Sequence, residues 1–335
     1  MKNPLLMNLE DNVTLDGDVL VIIDRRRLPG EIVPLHCPDH EAVARAIEDM
    51  AVQGAGDIAI TAGFGLYLAA RKLESGSSSS GKAAALQEAA ERLIATRPTG
   101  FHLAALINRL LKRIGEAGDS RPASAVILES LERSLESQRR VSEDTGRHAE
   151  ALLASGDRIL THCFAGPALL YMLRMARENG KDVRVICTET RPYLQGARLT
   201  AWSVSELGID TTLITDNMAA HCMSKGMVSK VFAAADRVAM DGVVANKVGT
   251  LQLAICAQYF HIPFYILAYG GPDKRTLCGE DIPIEQRDPR EVLEFRGSPI
   301  SGPAVKGYYP AFDLTPAELV TGIVTTKGVT TKGTG

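Results

Sequence analysis

The sequence predicts an α/β protein. A doubly wound, mostly parallel, Rossmann-like sheet fills its C-terminal half, and a mainly helical N-terminal domain with a small β element precedes it. Three observations carry this reading. Short apolar runs recur every 20–30 residues after Gly156, helix-like stretches separate them, and the chain before Gly156 has helical rather than strand periodicity.

The 335 residues set the scale. Length points to two domains or one large one; the change of pattern near Gly156 favours two, which we place at 1–150 and 151–335. Hydrophobic residues make up 45% and charged residues 23% of the chain, so a large core forms without staples. The net charge is -3 with both signs mixed, which argues against nucleic acid or an anionic membrane surface as partner. No basic segment followed by an apolar run opens the sequence, and no apolar stretch approaches the ~18 residues of a membrane span. Cys37, Cys163, Cys187, Cys222, Cys256 and Cys278 are far apart and form no CxxC. Free thiols in a reducing cytoplasm fit them better than disulfides or zinc.

Residues Gly17 to Cys37 read as a hairpin around Pro29–Gly30. The period then becomes helical from His40, with Val43, Ile47 and Met50 on one face, and breaks near Gly54. Helices are expected from Asp57 to Leu73, Ala83 to Ala95, Gly100 to Ala117 and Ser124 to Ser155. SGSSSSG, before Lys82, reads as a flexible surface loop.

Five runs read as strands buried on both faces: DRILTHC, VRVICTET, TTLITDN, KVFAAAD and PFYILAYG. Parallel sheets bind ligands outside the carboxyl ends of their strands. That rule singles out Cys163, Glu189, Asp216, Asp236 and Tyr269.

Cys163 precedes PheAlaGlyPro, and Pro167 suits the first position of a helix. Backbone N–H groups there would lower the thiol pKa and activate it. The alternative is a packed structural thiol. Asp236 ends an apolar strand, where a dry pocket would raise its pKa and make it a general acid; alternatively it pairs with Arg237. Asn246 and Lys247 precede a helical stretch and read as an anion pocket, or as a helix cap followed by an exposed cation. His162 neighbours Cys163, but adjacent strand residues face opposite ways, which argues against a dyad. Neither a GxGxxG after the first strand nor a GxxxxGK[ST] occurs, so a nucleotide cofactor gains no support.

Seven strings occur in order: ThrHisCysPheAlaGly at 161–166, the GluThrArgPro…AlaTrp run at 189–202, LeuIleThrAspAsnMetAlaAla at 213–220, AlaAspArgValAla at 235–239, AlaAsnLysValGlyThr at 245–250, AspIleProIleGluGlnArg at 281–287 and ProAlaPheAspLeuThrPro at 310–316. Together they resemble the methylthioribose-1-phosphate isomerase family. Its superfamily also holds ribose-1,5-bisphosphate isomerases and regulatory subunits of a translation-factor exchange complex. The resemblance implies a cytoplasmic homodimer that uses no cofactor or metal and isomerises a small-molecule sugar phosphate. By that resemblance Asp236 protonates the ring oxygen and Cys163 acts at the C1–C2 edge, as a base or by stabilising a hydride shift. Substrate contacts carried over are Gln53, Gly54, Ala55, Arg97, Gln195, Asn246 and Lys247.

The chain departs from the family pattern in several loops. Gln53 stands where the family has Arg, and Asp57 follows it. His102, Phe164, the TyrGlyGlyProAsp stretch from Tyr269, and Tyr309 are further departures. The lost cation at Gln53 implies weaker or repositioned phosphate binding, or a different C5 substituent, with 5-deoxyribose 1-phosphate as a neighbouring substrate. Alternatives are an isomerase of ribose 1,5-bisphosphate and a non-catalytic regulatory protein.

Overall fold

A computed structural model describes residues 3–75, 81–97 and 101–331. Most of the SGSSSSG loop lies outside these residues, as do Pro98 and Thr99 of the ArgProThr string. The chain divides into two compact units, 8–140 and 141–331 with 3–7. The division falls inside the long helix Ala123–Glu150.

The N-terminal unit begins with an antiparallel meander of β1 (Val13–Asp16), β2 (Val19–Ile23) and β3 (Pro34–Cys37). The expected hairpin is the β2–β3 pair; β1 adds a strand that the sequence reading left out. Helix α1 (His40–Glu48) starts where Asp39 caps it, its carboxylate accepting from the Ala42 N–H at 2.9 Å. Helices α2 (Ala55–Ser75), α3 (Lys82–Ala95), α4 (Phe101–Ala117) and α5 (Ala123–Glu150) follow. Every residue of α2 from Asp57 to Ala70 is buried. A helix apolar on all sides belongs at the centre of its domain, and α2 is the core of this unit, against Leu106, Leu110 and Leu131.

The C-terminal unit alternates strand and helix: β4 (Arg158–Thr161), α6 (Pro167–Glu178), β5 (Arg184–Thr188), α7 (Trp202–Glu206), β6 (Asp210–Ile214), α8 (Ala219–Ser224) and β7 (Lys230–Ala234). After these come β8 (Arg237–Val238), β9 (Val244–Lys247), α9 (Thr250–Tyr259), β10 (Phe264–Leu267), α10 (Arg290–Leu293), β11 (Glu294–Phe295), β12 (Ser298–Pro299), β13 (Phe312–Thr315), β14 (Gly322–Thr325) and β15 (Gly328–Thr331). The main sheet runs β15-β14-β10-β7-β4-β5-β6 and is parallel except for its β15 edge. Counting the parallel strands along the chain gives the order 3-2-1-4-5-6, the doubly wound arrangement. All five expected strands are present. Val231, Phe232 and Ala233 of β7 are fully buried, as continuous apolar runs require.

A second sheet, β13-β9-β8, was not expected. It refines one reading: Asn246 and Lys247 precede α9 as expected but lie on the strand β9, and the cap of α9 is Gly249, not Asn246. The strand is only four residues long and runs straight into the helix, so the apolar periodicity of the two merges.

Candidate functional site

Strands β4 and β7 are neighbours, with Thr161 opposite Phe232. Between them the order of the sheet reverses, and doubly wound sheets bind ligands at such a point, outside the carboxyl ends of the strands. Cys163 follows β4 and Asp236 follows β7. Two residues chosen from separate strand ends therefore flank the one topological switch point of this sheet.

Cys163 has φ +60, a left-handed conformation that non-glycine residues rarely adopt. Two threonines hold it there. The Cys163 N–H donates to Thr190 Oγ1 at 2.9 Å, and Thr200 Oγ1 donates to the Cys163 carbonyl at 2.6 Å. Thr190 is itself left-handed, and Asp216 accepts from its N–H at 2.8 Å and from that of Arg191 at 2.7 Å. Beyond it a π-helical turn, Gly196–Ala201, passes so close to β5 that a Cβ on Gly196 would lie 1.9 Å from the Thr188 carbonyl oxygen. Only glycine allows that approach, and such turns recur at functional sites.

The expected activation of the thiol by the helix terminus does not hold. Burial pushes the Cys163 thiol up and prevails, although Lys247 and the Phe164 N–H pull it partly back; Asp216 adds to the rise. Helix α6 begins only at Pro167, and its field fades within about a turn. His162 is no partner of Cys163. Its ring bridges Thr188 Oγ1 (2.6 Å, Nδ1) and the Val248 carbonyl (2.9 Å, Nε2), and burial lowers its pKa. An imidazole that donates from Nε2 to a carbonyl accepts at Nδ1 from the hydroxyl. The Val248–Gly249 turn packs on this ring: a Cβ on Gly249, at φ +106, would meet it at 3.0 Å.

Asp236 is exposed, not enclosed in a dry pocket. The strand stops at Ala234, and Asp236 stands on the turn into β8, its N–H donating to the Ala245 carbonyl at 2.9 Å. That bond ties it to β9, which carries Asn246 and Lys247. Asn246 is buried and donates from Nδ2 to Thr250 Oγ1 at 2.9 Å. Lys247 Nζ lies 5.0 Å from the centre of the Phe312 ring. Gln195 is buried, and its Oε1 has no partner among the described residues, a cost normally met by a bond to water or ligand.

Asp313 was missed as a site residue. It pairs with Asn246 across β9 and β13 and accepts from the N–H groups of Gly249 (2.6 Å) and Leu251 (3.2 Å). It is thus the anion at the α9 N-terminus. Burial lifts its carboxyl to about 6. The ProAlaPheAsp string contained it, but only the pairing of strands more than sixty residues apart brings it to Gly249.

In the N-terminal unit, Gln53, Gly54 and Ala55 form the entry to α2. Gln53 is buried and its Nε2 reaches the Met50 carbonyl at 3.4 Å, while Arg97 Nη1 lies 2.9 Å from Met50 Sδ. Met50 therefore gathers these predicted contacts into one cluster. Asp57 does not present a bare charge there. Arg25, fully buried, pairs with its Oδ2 at 2.6 Å, and Gln138 donates to its Oδ1 at 2.7 Å. Arg25 Nη1 also donates to the Gln53 carbonyl. His102 is exposed on the first turn of α4.

Residues 51–332 match the model of the Initiation factor 2 subunit family. The chain is 43% identical over 319 residues to a methylthioribose-1-phosphate isomerase of Bacillus pumilus, covering 92% of this chain and 90% of that one. Among solved structures it is similar to 5-methylthioribose 1-phosphate isomerase from Pyrococcus horikoshii, with TM-score 0.86, 35% identity, and coverage of 96% and 92%. It is also similar to translation initiation factor eIF-2B subunit delta from A. fulgidus, with TM-score 0.84, 36% identity, and 96% of each chain covered.

Proposed function

The chain belongs to the Initiation factor 2 subunit family, and we propose that within it the protein is an aldose–ketose isomerase acting on methylthioribose 1-phosphate or a close 5-deoxyribose 1-phosphate analogue. The observation that carries the reading is the placement of Cys163 and Asp236 at the two strand ends flanking the switch point, in a chain whose relatives of 40–43% identity are methylthioribose-1-phosphate isomerases.

Phosphate on the C1 oxygen blocks spontaneous ring opening, so the ring oxygen has to leave as a hydroxyl. Asp236, protonated, gives its proton to that oxygen as the C1–O bond breaks. Its present exposure leaves it open to an incoming sugar, and displacement of water by the sugar favours the neutral, donating form of a carboxyl. The C2 hydrogen then moves to C1 with its electron pair, and the C2 hydroxyl gives its proton, through water, to the Asp236 carboxylate, which leaves the ketone at C2 and restores the acid. Cys163 acts at that edge. A thiol that burial keeps protonated supports a direct hydride shift better than removal of the C2 hydrogen by a thiolate. Lys247 supplies positive charge, and the unpartnered Gln195 Oε1 an acceptor for a substrate hydroxyl. In the N-terminal unit we retain Gln53, Gly54, Ala55 and Arg97 as substrate contacts, supported by their gathering at Met50. The chemistry calls on no cofactor.

We further propose a cytosolic homodimer. Its six cysteines are free, and no helix among the described residues is long and apolar enough to cross a membrane. Ile255 and Tyr259, one turn apart on α9, are 52% and 77% exposed, a face suited to a second copy. Sedimentation tests this; a monomer at micromolar concentration would refute it.

A second reading, a non-catalytic regulatory subunit, draws on the likeness to the A. fulgidus factor. One experiment separates the two. Methylthioribose 1-phosphate, 5-deoxyribose 1-phosphate, ribose 1,5-bisphosphate and ribose 1-phosphate are offered and followed by NMR. Turnover of the first or second is expected; turnover of none sinks the isomerase reading.

A further inference from the structure

Tyr309 lies on the segment leading into β13 and is 4% exposed. Its path is fixed by the backbone: the Arg287 N–H donates to its carbonyl at 2.9 Å, and Pro310 bridges to Gln286. Two cations flank the ring. Lys247 Nζ lies 5.8 Å from its centre and the Arg287 guanidinium carbon 6.0 Å. A buried tyrosine normally finds a partner for its hydroxyl. The Tyr309 hydroxyl makes no hydrogen bond to any described residue. It is not among the sealed buried atoms that lack a partner among the described residues either.

Burial, with Glu291 and Cys163 nearby, raises the pKa of the phenol. It therefore stays protonated and is able to donate. The electrostatic influence of Cys163 also puts the hydroxyl in the neighbourhood of the thiol.

We propose that Tyr309 is a substrate-contacting residue, its hydroxyl donating a hydrogen bond to the C2 oxygen of the bound pentose 1-phosphate beside Lys247. The inference rests on the isomerase reading. The C2 oxygen gains negative character as its proton leaves, so the bond strengthens on the way to the ketone and acts on kcat more than on KM.

Tyr309→Phe tests it, because the ring and its packing on Lys247 and Arg287 remain. The expected result is a roughly 10- to 100-fold lower kcat, a KM within threefold, and an unchanged or higher thermal midpoint, since no internal bond is lost. A variant with kcat within twofold of wild type overturns the proposal. So does a lowered thermal midpoint, which would reveal a structural partner for the hydroxyl. Wild-type protein that turns over none of the four sugar phosphates is a different failure: it removes the isomerase reading itself, and this inference with it.

Discussion

The Asp216 carboxylate accepts from the Thr190 N–H at 2.8 Å, and Thr190 in turn accepts at Oγ1 from the Cys163 N–H at 2.9 Å. The conformation of Cys163 at the end of β4 is thus set from the end of β6, two strands away. Asp216→Ala frees the Thr190 and Arg191 amides and loosens Cys163. A displacement of about 1 Å costs up to ~100-fold in rate, so kcat is expected to fall roughly 10- to 100-fold with little change in KM. An unaltered kcat would mean this relay does not hold the thiol.

Removing the proposed reacting groups separates their roles. Cys163→Ser and Asp236→Asn are each expected to lower kcat by at least about 100-fold while leaving circular dichroism unchanged. If either variant runs near the wild-type rate, that residue does not take part.

The route at C1–C2 is read from isotope incorporation. A hydride shift carries the C2 hydrogen to C1 without exchange, whereas a base returns a proton from solvent. In deuterium oxide, proton NMR of the product should therefore show no deuterium at C1. Substantial incorporation would instead assign Cys163 the work of a base and require a thiolate despite its burial.

Arg25 and Asp57 form a buried pair, their side chains 1% and 9% exposed. Taking away one partner leaves the other charge buried, at a cost of about 3–5 kcal/mol. Arg25→Met should lower the unfolding free energy in urea by that amount. Arg25→Met/Asp57→Leu should recover most of it. A single variant as stable as wild type would show that the pair is not closed in solution.

Asp313 couples stability to pH. Burial moves its carboxyl from 3.8 to about 6, so the folded state holds this proton more tightly than the unfolded state does. The stabilisation is full below about pH 4 and is lost as pH rises through about 6. Compared with Asp313→Asn, wild type should lose on the order of 2 kcal/mol between those limits. Parallel urea titrations at about pH 4 and pH 7 measure it; a pH-independent difference would rule the shift out.

Much of the architecture was legible in the chain. The runs ending near Thr161, Thr188, Ala234 and Leu267 are largely apolar because interior parallel strands are buried on both faces, which leaves a local mark; β6, expected to be buried likewise, is the sheet edge and is mostly exposed. Asp236 and Cys163 were readable for the same reason, since strand ends are where such sheets bind. The environment of each was not. Cys163 was expected to be activated by α6, but its surroundings come from Thr190, Asp216 and Lys247, all distant in sequence. Asp236 was expected to be dry and is exposed, because burial depends on what packs over a turn.

By itself the sequence determined the five strands β4, β5, β6, β7 and β10, the helices between them and the strand-end residues, since periodicity and turn chemistry act over a few neighbours. Only the tertiary structure decided that the order of the sheet reverses between β4 and β7, that β9 pairs with β13 to bring Asp313 under α9 and Tyr309 beside Lys247, and that Arg25 neutralises Asp57. Those outcomes depend on hydrogen bonds and burial between segments up to sixty residues or more apart, which no local pattern encodes.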